Sequence, residues 1–150
     1  MSILRSELQV ALQELYRLAQ ESVDHYKDTA QFVDDEAATR LFIRIADERE
    51  AFARQLASAI RDTDDLPAAP DADREAGEQL VHRLHALFTA DQTQDVLEQR
   101  LKAELELAQQ LDSNRSAAPE DVYQRLHDTF TRHVDDTIAL LEGPRLHPDR

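Results

Sequence analysis

Apolar residues recur every three or four positions along most of this chain, a period that predicts amphipathic helices. From about Ile3 to Val33 the stripe runs through Leu4, Leu8, Leu12, Leu15, Ala19, Val23, Tyr26 and Ala30. Val33-Asp34-Asp35-Glu36 reads as a short acidic turn. A second helix follows from about Glu36 to Arg61 on Ala38, Leu41, Ile45, Phe52, Leu56 and Ile60. Its tail, Asp62 to Asp71, combines neighbouring acids with Pro67 and Pro70 and predicts the main connection. A shorter helix is expected from about Asp73 to Thr89 on Leu80, Leu84, Leu87 and Phe88. Asp91 or Thr93 suits the cap of the next, which continues to about Leu111 with Leu97, Leu101, Leu105, Ala108 and Leu111 inward. Asp112 to Ser116 breaks it. Ala118-Pro119-Glu120 starts the last helix, with Val122, Leu126, Phe130, Val134, Ile138 and Leu141 inward, and Gly143-Pro144 is expected to stop it.

No stretch alternates with the period of a strand, and heptads are not sustained. The pattern therefore predicts an all-α fold and a compact bundle, not a long coiled coil. At 150 residues, with two glycines and five prolines, one domain over residues 1–142 is enough, followed by a flexible tail at 143–150.

Composition narrows the chemistry. The absence of cysteine excludes disulfides, thiolate nucleophiles and cysteine-held zinc or iron–sulfur centres. A net charge of -14 sets the chain against nucleic acid and anionic membranes. The acidity serves either as a surface for cations or a basic partner, or as a solubility device in a salty cytoplasm. Met1 to Arg5 leads into an amphipathic helix without an apolar signal core, so a cytoplasmic protein is expected.

Three polar residues interrupt the stripes. Arg49 lies between Ile45, Phe52 and Leu56; Glu104 among Leu97, Leu101, Ala108 and Leu111; His133 with Leu126, Phe130, Thr137 and Leu140. A buried, unpaired charge is too costly to keep, so Arg49 must find a carboxylate or snorkel to water. Glu104 is the inward acid on another helix. Arg49, Glu104 and His133 are thus the expected structural polar core.

Those positions carry a resemblance. Ferritin-like di-iron proteins place one glutamate on the first helix and Glu-x-x-His on the second, then repeat the scheme in the second hairpin. In the rubrerythrin-related branch the first glutamate sits seven residues before a tyrosine. Here Tyr26 is present but Ala19 stands at the glutamate position. Arg49-Glu50-Ala51-Phe52 occupies the place of Glu-x-x-His, Glu104 matches the lone glutamate, Phe130 replaces the next, and His133 keeps the histidine. The chain also resembles an uncharacterised bacterial branch of these bundles with Arg-x-x-Phe on the second helix, over about residues 8 to 141. Leu80-Val81-His82-Arg83 and Thr93 to Glu98 are similar to its crossover helix and following segment. The resemblance implies a ferritin-like four-helix bundle of two antiparallel hairpins, with an extra short helix in the crossover. It also implies a degenerate iron site, with too few ligands for two irons and a guanidinium that opposes any cation.

Elsewhere Glu78, His82 and His85 share one helical face, half of a zinc or nickel site, but lie opposite Leu80, Leu84 and Leu87. Their spacing fits a solvated face better. His147, in the tail, reads as surface. Ser22, Ser58, Ser113 and Ser116 lack a triad context, Asp24 and His25 point apart as helix neighbours, and Gly77 and Gly143 make no phosphate loop. No catalytic residue, metal ligand or cofactor is expected. The sequence points to a non-catalytic, cytoplasmic bundle acting through a protein partner or self-association, with stress physiology as an analogy from the superfamily. The alternative is a metal-binding ferritin relative, with Glu104, His133 and flanking Glu21, Asp24 or Glu48 as makeshift ligands.

Overall fold

A computed structural model describes residues 4–68 and 92–146, and among these it is all-helical, with four helices and no strand. They are α1 (Glu7–Phe32), α2 (Glu36–Asp62), α3 (Gln92–Ser113) and α4 (Asp121–Leu146). The helix expected over Asp73 to Thr89, with Glu78, His82 and His85, lies outside the described residues, as do Asp91 and His147.

Local chemistry sets the ends. Helix α1 begins four residues later than its stripe suggests because Ser6 caps it. The Ser6 hydroxyl accepts from the Gln9 amide, and the Gln9 side chain accepts from the Ser6 amide. Asp35 caps α2 by accepting from the Ala38 amide, so the acidic turn is a working N-cap. At the other end Asp64 takes a left-handed φ of 62°. The Asp64 amide donates to Arg61 and the Asp65 amide to Ile60, the pair of bonds that closes a Schellman stop. Helix α4 does not stop at Gly143-Pro144 but continues to Leu146. Proline already holds a helical φ, and in a last turn its missing N–H forfeits one backbone bond. The helical part of the chain therefore extends past residue 142.

Helices α1 and α2 pack along each other. Arg5 bonds Asp65 at 2.7 Å, Gln9 donates to the Thr63 carbonyl, Gln13 donates to the Leu66 carbonyl, and Lys27 pairs with Glu50. Helices α3 and α4 form the second close pair. Two apolar clusters, each with residues from all four helices, fill the interior. One centres on Leu12, Leu15, Phe52, Leu56, Leu111 and Phe130. The other centres on Tyr26, Phe42, Ile45, Leu97, Leu101 and Leu141.

Several expected inward positions are exposed, and on α3 and α4 the miss is a rotation about the helix axis. On α3 Leu105 is 46% exposed while Leu107 is buried, because the buried sector is centred on the Glu104–Leu111 side. On α4 the buried sector runs through Tyr123, His127, Phe130, Val134, Thr137 and Leu141. His133 and Leu140, seven residues apart, share its edge, which leaves Leu140 exposed and His133 half-buried. Leu4 precedes α1 and is exposed.

Asp64 is the weakest local choice in the chain. An L-residue in the left-handed region is strained, and its carboxylate sits at the negative end of the α2 dipole between Asp62 and Asp65. Replacing Asp64 with glycine removes both penalties and should raise stability by up to about 1 kcal/mol. A urea midpoint at or below that of the unsubstituted chain would count against this account of the α2 stop.

Candidate functional site

Arg49 is the largest fully buried side chain among the described residues, with 1% of its surface exposed. Its helical position faces the axis, so the guanidinium cannot snorkel and must be satisfied inside. Each other helix supplies a partner. Nη1 donates to the Ser22 hydroxyl of α1 and to Oε1 of Glu104 on α3, both at 2.6 Å. Nη2 donates to the Thr137 hydroxyl of α4 at 2.9 Å, and that hydroxyl donates onward to the His133 carbonyl at 2.8 Å. The side chains of the Arg49–Glu104 pair are 1% and 3% exposed, so bulk water does not screen it.

Tyr26 completes the cluster. Its hydroxyl donates to the same Glu104 oxygen at 2.8 Å. Its ring receives Arg49 at 5.6 Å and Arg100 of α3 at 5.6 Å, while Arg49 also lies 5.9 Å from the Phe130 ring. Burial, then the Glu104 charge, holds the Tyr26 phenol well above its usual pKa, so it remains a neutral donor. Glu104 Oε2 and Arg100 Nε are buried without a hydrogen-bond partner among the described residues.

The structure thus joins Arg49 and Glu104 directly and puts His133 at their margin. The His133 ring packs against Phe52 at 5.6 Å, and its link to the guanidinium runs through its own carbonyl and Thr137. Burial first, then the charge of Arg49, holds its imidazole below the usual pKa, against the opposing pull of Glu48 and Asp136. Ala19, Phe52 and Phe130 are fully packed in the apolar core. Of the flanking acids, Glu21 pairs with Arg17 on the surface and Glu48 is exposed. Among the described residues no group of three histidine, aspartate or glutamate side chains could hold a metal ion.

Ser22 and Thr137 escaped the sequence reading as ligands of Arg49, because small hydroxyls on a buried face look like filler until a donor is placed opposite. A second polar set was missed as well. His127 is fully buried, with Nε2 hydrogen-bonded to the Leu111 carbonyl. Tyr123 donates to the Asn114 carbonyl, and Gln124 to the Arg115 and Ala118 carbonyls. Together they fasten the α3–α4 connection. The Tyr123–His127 spacing, one turn before Phe130 and Val134, was the available signal.

Comparison with protein-family models, with curated proteins and with solved structures finds no match to the chain.

Removing one partner of the ion pair strands the other charge in the core. Arg49→Met and Glu104→Leu should each cost about 3–5 kcal/mol, while the double variant, which leaves no charge desolvated, recovers much of the loss. Urea unfolding of the four proteins measures the coupling. Single variants as stable as the unsubstituted chain would show that the pair contributes nothing.

His133 makes stability depend on pH. The folded state binds its proton less readily than the unfolded chain, so its full contribution is present above the ordinary imidazole range. That contribution is lost as pH falls through this range toward the lower folded value. His133→Phe should flatten this part of the stability profile and be tolerated better than Arg49→Met. Parallel profiles for the variant and the unsubstituted chain would remove His133 as the source.

Proposed function

We propose that this chain is a non-catalytic helical bundle of ferritin-like arrangement, two antiparallel hairpins joined by a crossover, that acts through its surface on a protein partner. The single observation that carries this reading is the guanidinium of Arg49, buried at the centre and satisfied by all three other helices. In the resemblance drawn from sequence, that centre is where cations would sit. A fixed cation there repels a second, and the one inward carboxylate is already committed to it. With 1% and 3% of the two side chains exposed, a substrate would have to open the core to reach them.

What remains for function is the outside. No helix among the described residues is long and apolar enough to cross a membrane. The net charge of -14 favours a partner with a basic face and disfavours phosphate backbones. The stress-related role stays an analogy from the superfamily.

The competing reading, a metal-binding relative using Glu104 and His133, is separated by elemental analysis of protein purified without added metal. The expected result is no stoichiometric iron and no ferroxidase activity. Close to two irons per chain, lost on Glu104→Ala, would replace this proposal with the metal-binding one. Pull-down from the native host, with competition by salt, then tests for the basic partner.

A further inference from the structure

The apolar stripes of this bundle are nearly self-similar along their length. On α2, Phe42, Ala46, Ala53, Leu56 and Ile60 repeat at helical spacing, and on α3 Leu97, Leu101, Leu107 and Leu111 do the same. Sliding the α1–α2 pair past the α3–α4 pair by a turn, about 5.4 Å, would still set apolar positions against apolar ones over most of the stripes. Leu and Ala contacts alone therefore discriminate poorly between registers. The exception is Arg49, which a one-turn slide would bring against Leu101 or Leu107 in place of Glu104.

We propose that the Arg49 cluster is a registration device, fixing the register of the α1–α2 pair against the α3–α4 pair, each of which is already tied internally by its own hydrogen bonds. Its geometry suits that task better than that of providing adhesion. The guanidinium takes one acceptor from each of α1, α3 and α4. A one-turn shift of one pair against the other breaks the bonds to Glu104 and to Thr137 together. Tyr26 of α1 adds a further tie between the pairs by donating to the Glu104 oxygen that Arg49 also reaches. A buried ion pair gives weak net stability, whereas a packing that separates Arg49 from Glu104 leaves each charge unpaired in the core.

The test separates register from stability. The chain has no cysteine, so Arg54→Cys on α2 and Glu106→Cys on α3, both exposed, accept spin labels at defined sites. With Arg49 and Glu104 intact, pulsed dipolar spectroscopy should give one narrow distance. In the Arg49→Met, Glu104→Leu background the helical signal in the far ultraviolet should persist while the distance distribution splits or broadens by about a helical turn. A single narrow distance in that background would overturn the proposal. So would an unfolded double variant, since the pair would then be a source of stability and not of register.

Discussion

The polar cluster at the middle of this bundle follows from one constraint: a guanidinium that cannot reach water. Once Arg49 is fixed on the inner face of α2, its donors need acceptors in a medium where an unmet donor is expensive. A carboxylate alone would leave donors unmet. The structure adds Ser22 and Thr137, whose short side chains accept a bond without crowding a center that two aromatic rings already enclose. The aromatic faces are part of the solution, because a ring quadrupole is a better wall for a cation than an aliphatic one.

In the proposed reading that centre is structural. Acid–base or redox work needs a group that changes state and a route for its reactant. Tyr26 is held as a neutral donor by burial and by Glu104, whose Oε1 also accepts from Arg49. At the margin lies His133, whose imidazole is held below its usual pKa by burial and the charge of Arg49, against the acids Glu48 and Asp136. Charge sensitivity and structural rigidity are thus separated in space, one at the edge of the core and one at its middle.

The elements were legible in the sequence because periodicity and caps are local. The stripes, the acidic turn before α2 and the polar break before α4 all come from residues within a few positions of one another. Rotation about each axis was less legible. A stripe of leucines defines a face only to within a step, and partners on other helices decide which edge is covered. This is why Leu105 and Leu140 were expected inside, and why His127 and Leu107 were not recognised. The Arg49–Glu104 pair could be inferred because charge balance leaves few choices. Its hydroxyl partners could not, since serine and threonine on an inner face carry no charge to balance. The stop of α4 failed for another reason: proline and glycine end helices by preference, and a last turn loses little by ignoring them.

The cluster is also lopsided, and the lopsidedness tells which residue it is built around. Arg49 receives acceptors from three helices, whereas Glu104 accepts both of its bonds through Oε1. Among the described residues Oε2 has no hydrogen-bond partner, nor has Nε of Arg100, one turn earlier on the same helix and 5.6 Å from the Tyr26 ring centre. An arrangement organised to stabilise the carboxylate would have brought those two atoms together, since an i,i+4 pair on α3 is within reach. Here Arg100 lies over a ring instead. The guanidinium of Arg49 is therefore the group the interior accommodates, and Glu104 is present as its counterion.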